Sequence, residues 1–246
     1  MPQGAARVAQ KVTRPRVRAG DPTLVTKVLI GLNVAVWLAM IAQGGTLNEP
    51  SGPLYVEGAL VVEASDGERL LGLAQGEWWR LFTAAFLHAG FIHLAMNMLG
   101  LWWFGGPLEA ALGRGRYVLL YVVSGLAGSA GALIASPRAI TVGASGALFG
   151  LLGAALILER SGTYVFGGGA MGVIVLNIAF TFLIPGISIG GHLGGLAGGV
   201  LCALALSRFG RGHAVYGRLG TLGVMGVVAV AVLSVALAVL QVGRVT

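Results

Sequence analysis

The sequence predicts an all-α membrane protein with seven helical spans, and three observations support this fold class. The chain has 246 residues, of which 56% are hydrophobic and only 10% are charged, whereas soluble domains are about 25% charged. Its apolar residues form separate runs of helical length, and short loops containing Gly, Arg or Pro divide them. Nine acidic and sixteen basic residues cannot cover a soluble protein of this size. This excludes a disordered chain, a coiled coil and an ordinary cytosolic enzyme.

Each apolar run is interpreted as one helix. The seven predicted spans lie at 28–42, 91–112, 117–135, 146–158, 169–184, 191–207 and 219–242. The first run lacks an Ala-x-Ala cleavage site and precedes many others, so it is interpreted as a retained helix, not a signal peptide. The fourth run is short for a crossing, which takes about 20 residues. We therefore expect that helix to begin inside the protein, below the membrane surface.

The runs predict three parts of the chain. Residues 1–27 form a basic cytoplasmic tail, and residues 28–207 form a six-helix core with an outer loop at 43–80. Residues 208–246 form a basic inner loop followed by the seventh transmembrane helix. The outer loop carries six of the nine acids and ends in two tryptophans that are typical interfacial anchors, Trp78 and Trp79.

The distribution of Lys and Arg predicts the orientation in the membrane. With a cytoplasmic N-terminus, twelve of the sixteen bases lie inside and four outside, a clear positive-inside bias. The outside bases are Arg69, Arg80, Arg138 and Arg244. Nucleic-acid binding is excluded, because the bases lie in loops and aromatic residues do not interleave with them. The expected surroundings are membrane lipid.

Polar residues within the predicted spans are functional candidates, because burying them in a bilayer is costly. Spans two, four and six all run from outside to inside, so their N-terminal ends lie at similar depth. Those ends carry His93 and Asn97 on span two, Ser145 before span four, and His192 at the start of span six. Three separate segments therefore converge on one predicted polar cluster.

The members of this cluster are suited to nucleophilic catalysis. Ser145 lies in Gly143-Ala144-Ser145-Gly146, where glycines permit a tight turn. A serine hydroxyl needs a base to take its proton, and His192 is the candidate. Free N–H groups at the start of span four would face developing negative charge. His93 and Asn97 share one helix face and could donate to the same oxyanion.

Glycines predict how spans four and six meet. They recur at short spacing on both helices: Gly146, Gly150 and Gly153 on span four, and Gly191, Gly194, Gly195, Gly198 and Gly199 on span six. Small residues allow membrane helices to approach closely. Contact between two glycine faces would bring Ser145 and His192 within hydrogen-bonding reach.

Structural roles remain open for each of these polar residues. A serine in a membrane helix often bonds only a backbone carbonyl, and His93 and Asn97 could simply join helices. His88 is interpreted as a structural partner for the outer loop, and His213 as a solvated residue of the inner loop. The conjunction of nucleophile, base and donors at one depth favours catalysis.

At these residues the sequence resembles the rhomboid intramembrane serine proteases, over about residues 24–207. The resemblance rests on motifs that occur in order along the chain: Trp79-Arg80, His88, His93 to Asn97, Glu109 with Gly113, Gly143 to Gly146, and Gly191 to Gly195. It implies a rhomboid-like six-helix core with a seventh transmembrane helix added at the C-terminus.

The resemblance also implies a role for each site residue. Ser145 matches the nucleophile and His192 the general base of a dyad without an acidic member. His93, Asn97 and the Ser145 N–H match the oxyanion site. Phe149 matches a position, commonly tyrosine, whose ring stacks on the base.

By the same resemblance, the substrates are single-span membrane proteins, cut near their outer end. They would enter beside span five, which is apolar apart from Asn177 and Thr181. A multi-pass protein of a bacterial plasma membrane is expected. Four histidines without a nearby acid provide no zinc motif, so neither a metal nor a cofactor is expected.

Two other functions are weighed against proteolysis. Some rhomboid-like proteins have lost catalysis and bind membrane clients, but this chain retains both Ser145 and His192. A transporter would carry acids or paired charges within its spans. Glu109 is the only acid within a predicted span, and it is interpreted as structural.

Overall fold

The structure is a computed structural model that describes residues 21–209 and 220–246. Ten α-helices lie in these residues, in the order α1 Leu24–Ala42, α2 Pro53–Gly58, α3 Arg80–Thr83, α4 Phe91–Gly100, α5 Gly106–Leu112, α6 Arg114–Ala135, α7 Ser145–Arg160, α8 Ala170–Leu183, α9 Ile189–Phe209 and α10 Thr221–Val245. A π-helical turn, Leu101–Gly105, joins α4 to α5. Between α2 and α3, strands β1 (Ala64–Ser65) and β2 (Leu70–Leu71) form a short antiparallel pair. The all-α fold class is therefore confirmed.

Four of the described helices are long and apolar enough to cross a membrane, namely α1, α6, α9 and α10. A fifth crossing results if Arg80–Phe86 and Phe91–Leu112, which meet at a bend of 93°, form one span. Helix α8 is apolar but shorter. A helix occupies every predicted position, while the count of seven crossings remains a prediction. Most of the predicted basic tail and inner loop lie outside the described residues.

The centre of the fold is a contact between α7 and α9 at glycines. A Cβ added to Gly195 would overlap the Gly146 carbonyl, and one added to Gly199 would overlap the Gly150 backbone. A Cβ on Gly153 would lie 2.6 Å from the Leu196 carbonyl oxygen. The two backbones thus touch without intervening side chains, as the glycine spacing predicts.

Helix α6 contacts the same pair of helices, which the sequence analysis did not anticipate. A Cβ on Gly194 would lie 2.5 Å from the Ala127 carbonyl oxygen, and one on Gly128 would lie 3.0 Å from both Gly146 Cα and the Gly191 carbonyl oxygen. The second glycine stripe of α9 therefore packs on α6. Three helices, not two, meet backbone to backbone beside Ser145.

Buried carboxylates cap the N-termini of two helices. Glu109, on α5, accepts hydrogen bonds from the N–H groups of Val25 and Thr26 in the first turn of α1, at 2.9 and 2.8 Å. Glu159, in the last turn of α7, accepts a bond of 3.0 Å from the N–H of Ala170, the first residue of α8. A carboxylate satisfies the free N–H groups and the positive end of a helix. The geometry agrees with a structural role for Glu109.

The outer loop is organised around Arg80, which is fully buried. Its guanidinium donates to the carbonyls of Val56 and Ala59 at 2.7 and 2.8 Å and to the Glu77 carboxylate. Burial alone would raise the pKa of Glu77, but bonds from the Gly72 N–H and from Arg80 outweigh it, so the pKa lies below its usual value of 4.5. This buried ion pair holds the loop against the helices.

Candidate active site

Ser145 is the first residue of α7 and follows a tight turn. Gly143 has φ +121°, in the left-handed region that favours glycine. The turn is anchored on both sides, because the Gly143 N–H donates to the Ala84 carbonyl at 2.9 Å and Thr141 pairs with Leu60 of the outer loop. The position of the Ser145 backbone is thus fixed by contacts of the turn that precedes it.

His93, on the first turn of α4, lies against this turn. A Cβ added to Gly143 would lie 2.7 Å from both Cε1 and Nε2 of His93 and 3.8 Å from Ser145 Oγ. The His93 imidazole and the Ser145 hydroxyl are therefore neighbours, and no side chain of Gly143 lies between them. Any side chain at this position would push the two apart.

The protonation of His93 follows from its other nitrogen. The N–H of Ala89 donates to His93 Nδ1 at 3.3 Å. Because a nitrogen that accepts a hydrogen bond carries no proton, the neutral ring holds its proton on Nε2. Nε2 is the nitrogen beside Gly143 and Ser145, so His93 presents a donor to the site.

His192 lies in the first turn of α9 and is 8% exposed. The ring of Phe149, one turn after Ser145 on α7, stacks on its imidazole with 4.0 Å between centroids and 20° between planes. The stacking expected from the resemblance is present. His192 Nδ1 also contacts Thr181 Oγ1, on α8, at 2.7 Å.

The structure brings the Ser145 and His192 segments together. A Cβ on Gly146 would lie 3.3 Å from the Gly191 carbonyl oxygen, so the residues adjoining Ser145 and His192 are in contact. Among the described residues, no hydrogen bond joins Ser145 to His192. Catalytic hydrogen bonds are often long in enzymes without substrate and shorten when substrate binds.

Free backbone donors surround Ser145. The first backbone hydrogen bond of α7 runs from the Leu148 N–H to the Ala144 carbonyl. The N–H groups of Ser145, Gly146 and Ala147 therefore have no partner within the helix. These donors and the positive end of the helix dipole suit a developing oxyanion.

Asn97 and His88, which flank His93 in the chain, are both buried. The Asn97 amide donates one N–H to the His93 carbonyl at 2.8 Å, and its second N–H is left for another acceptor. The His88 ring meets the His93 ring edge to face, at 5.1 Å. Among the described residues, neither ring nitrogen of His88 has a hydrogen-bond partner. His88 therefore packs against His93, and its expected partnership with the outer loop stays a prediction.

A cavity of about 30 Å³ adjoins Ser145. Its lining includes the hydroxyl-bearing residues Ser129, Thr141 and Ser188. A cavity of this size holds water when polar groups line it. The site thus has room for a water molecule beside the serine.

Comparison with known proteins identifies the family of the chain. The family model for the rhomboid domain matches residues 75–209, which is more than half of the chain. The chain belongs to the rhomboid family. The matched segment includes the Ser145, His192 and His93 segments of this rhomboid, together with all of α6, α7 and α8.

Relatives of this rhomboid occur in bacteria and plants. Rhomboid protease GluP of Bacillus subtilis is 38% identical over 76% of this chain and 35% of its own length. Putative rhomboid protease YdcA of the same organism is 40% identical over 53% of this chain and 68% of its own. RHOMBOID-like protein 1 of Arabidopsis thaliana is 42% identical over 51% of this chain and 33% of its own. The chain thus spans about a third of the length of the first and third relatives.

The histidines among the described residues do not form a metal site. Within the described ranges, no group of three His, Cys, Asp or Glu residues is placed to hold a metal ion. His88 and His93 lie edge to face, while His192 stacks on Phe149. The expectation of no cofactor remains a prediction.

Sequence reasoning missed the contact between Thr181 and the base. It noted Asn177 and Thr181 only as polar residues of an apolar helix. A signal was present, because the two are four residues apart and the predicted topology makes span five antiparallel to spans two, four and six. Its C-terminal end therefore reaches the depth at which spans two, four and six begin.

Proposed function

We propose that this chain is an intramembrane serine endopeptidase that cleaves single-span membrane proteins near the outer face of the membrane. Ser145 is the nucleophile and His192 the general base of a dyad. His93, Asn97 and the N–H groups at the start of α7 stabilise the oxyanion. The chain covers only about a third of rhomboid protease GluP, so its activity is inferred from its own site.

One observation supports the proposal: Ser145, His93 and His192 each lie in the first turn of a separate helix, and contacts at glycines join these turns. His93 Nε2 and Ser145 Oγ both lie within 4 Å of the Cβ position of Gly143. Phe149, on the helix that Ser145 begins, stacks on His192. Acyl transfer requires a nucleophile, a base and a hydrogen-bond donor for the oxyanion. In this protein each of the three comes from a separate helix.

The reaction follows from these positions. His192 takes the Ser145 proton as Oγ attacks the peptide carbonyl, and the carbonyl oxygen becomes an oxyanion that meets the N–H donors. His192 then gives that proton to the leaving amine. A water molecule, for which the adjoining cavity has room, attacks the acyl-enzyme with His192 again as base, and Ser145 regains its proton.

Substrate approach is proposed beside α8. Only three of its fourteen residues are buried. Its exposed apolar side chains include Val175, Phe182 and Leu183. A substrate helix must unwind locally, because a helical backbone shields its carbonyls from attack. Small or helix-breaking residues near the outer end of a single span are therefore the expected cleavage sites.

Cleavage of tagged single-span proteins by the purified chain in liposomes tests the proposal. The substrates would carry Gly or Pro near the outer end of the span, with Leu at the same positions as a matched set. We expect cleavage of the Gly and Pro set by the parent, and none by Ser145→Ala or His192→Ala at equal folded fraction. Ser234→Ala, which removes a buried hydroxyl from α10, should cleave like the parent.

Two outcomes would overturn the proposal. Cleavage that persists in Ser145→Ala would assign the reaction to another group. A folded parent that cleaves no substrate, fails to react with a fluorophosphonate and still retains a single-span protein on co-purification would favour a client-binding role.

A further inference from the structure

Helix α8 holds the histidine base of the site through one hydroxyl group. Thr181 Oγ1 and His192 Nδ1 are 2.7 Å apart, and both residues are buried, at 3% and 8% exposure. This is the only hydrogen bond that the described residues make to the His192 ring. The contact joins the sparsely buried helix α8 to the base of the site.

The direction of this hydrogen bond follows from the other partner of Thr181. Thr181 Oγ1 lies 2.8 Å from the Asn177 carbonyl oxygen, one turn earlier on α8. A carbonyl oxygen only accepts hydrogen bonds, and a hydroxyl has a single proton to donate. Because that proton is directed to Asn177, the hydroxyl must accept from His192, and Nδ1 must carry a proton.

We infer that Thr181 is a positioning residue that holds His192 in the tautomer protonated on Nδ1. The neutral ring has one proton, so Nε2 is then left with a free lone pair, which a general base requires. Phe149 fixes the plane of the ring by stacking, and Thr181 fixes its rotation within that plane. This inference rests on the proposed function, because the lone pair matters only if His192 is the base.

The hydroxyl replaces the orienting acid of a catalytic triad. In a triad, a carboxylate binds Nδ1–H and maintains the tautomer. During attack, the Ser145 proton moves to His192 Nε2, while the Nδ1 proton stays on the ring and in its bond to Thr181. The ring then becomes imidazolium, and Nε2 later releases its proton to the leaving amine, so every proton is accounted for.

Nitrogen-15 NMR of the histidine-labelled protein in lipid tests the tautomer without any substrate. The His192 signals are assigned by their absence in His192→Gln. We expect the parent to show a protonated Nδ1 and an unprotonated Nε2. Thr181→Val, which keeps the shape and removes the hydroxyl, should give a mixture of tautomers, and Thr181→Ser should restore the parent pattern.

Kinetics provide the second measurement. The free energy of one hydrogen bond corresponds to about a tenfold change in rate. Thr181→Val should therefore have a kcat about tenfold lower than the parent at nearly constant KM. Thr181→Ser should recover most of the lost kcat. Ser234→Ala is the matched control, because Ser234 Oγ makes the same bond to the carbonyl four residues earlier, Val230, at 2.8 Å. It should alter neither the His192 signals nor kcat.

The proposal is overturned if His192 in the parent carries its proton on Nε2, or if Thr181→Val leaves both the tautomer and kcat unchanged. A parent that shows the Nδ1 tautomer but neither cleaves substrates nor reacts with a fluorophosphonate would instead refute the proposed function, because the NMR experiment does not depend on turnover. An active parent with the Nε2 tautomer would refute the role of Thr181 alone.

Discussion

Helices α7 and α8 hold the two sides of the site in different ways. Helix α7, which begins with Ser145, has eleven of its sixteen residues buried, whereas α8 has three of fourteen. The nucleophile side is fixed by backbone contacts at glycines on α6, α7 and α9. On the α8 side, the base is bonded by a single side-chain hydroxyl.

This difference indicates which parts of the site have fixed positions. Backbone contact at a glycine leaves no torsion to adjust, so the Ser145 turn has one position. A hydroxyl contact from a sparsely buried helix can break and re-form at much lower cost. Substitutions on the α7 side should therefore affect folding, and substitutions near α8 should affect the reaction.

The largest effect is expected for Gly199→Ala. The new Cβ would overlap the Gly150 backbone, so α7 and α9 must separate, at a cost of about 3 kcal/mol or more. Thermal unfolding in detergent, followed by tryptophan fluorescence, measures the loss.

Gly172→Ala on α8 is the matched control for that substitution. Nothing lies within 4 Å of its added Cβ, and replacing a helical glycine by alanine stabilises a helix by up to about 1 kcal/mol. Equal melting temperatures for the two variants would contradict the contrast between the helices.

Gly143→Ala should lower activity about a hundredfold. The residue would have to adopt φ +121°, and its Cβ would displace the His93 ring from Ser145. Displacement of a catalytic group by about 1 Å costs on the order of a hundredfold in rate. The quantity to measure is kcat/KM for a cleaved substrate at equal folded fraction.

Gly162→Ala separates backbone strain from the collision with His93. Gly162 also has positive φ, +88°, but nothing lies within 4 Å of its added Cβ. This variant should lose about 1 kcal/mol of stability and keep its activity. If both variants lose activity alike, strain and not displacement of His93 explains the loss.

Phe149→Leu should lower kcat about tenfold, because the stacking that fixes the His192 plane is lost. Phe149→Tyr keeps the ring and should remain near the parent. Phe166→Leu removes a different aromatic contact, with Phe104 at 5.6 Å, and should leave kcat unchanged. A parent-like Phe149→Leu would show that stacking does not position the base.

The smallest effect concerns the outer loop and pH. The folded pKa of Glu77 is lowered, so its contribution to stability is fully present above pH 4.5 and is lost as the pH falls through the lower folded value. The melting temperature of the parent should therefore decrease as the pH is lowered from 4.5. Glu77→Gln should have a lower melting temperature than the parent at neutral pH. Its melting temperature should also decrease less than that of the parent as the pH is lowered.

Glu63→Gln, in the same loop at an exposed position, is the control and should follow the parent curve. If Glu77→Gln also follows the parent curve below pH 4.5, the buried pair with Arg80 does not stabilise the loop.

The sequence was most informative where residues of one kind recur at helical spacing. A helix is present at the position of each apolar run, and the glycines of α7 and α9 predicted their contact. It was less informative where the rotation of a helix decides the neighbour. Two glycine stripes on α9 do not reveal that one packs on α6. The position of Thr181 near the C-terminal end of α8 indicates its depth, but not that its hydroxyl meets His192.

Helix ends were also predicted incompletely, for a physical reason. The first apolar run begins at Val28, but α1 begins at Leu24. Its first turn includes the polar residues Thr26 and Lys27 and is held by Glu109, which lies more than eighty residues later in the chain. Likewise, α7 continues to Arg160 because Glu159 is buried as a cap for α8. Capping by a distant carboxylate leaves no local pattern.

Labelling with a fluorophosphonate tests whether Ser145 is a nucleophile that His192 activates. The purified parent in lipid would be treated with the probe, and mass spectrometry would locate the adduct. We expect one adduct, on Ser145, with a labelling rate about a hundredfold lower in His192→Ala. An adduct on another serine, or an equal rate in His192→Ala, would contradict this activation.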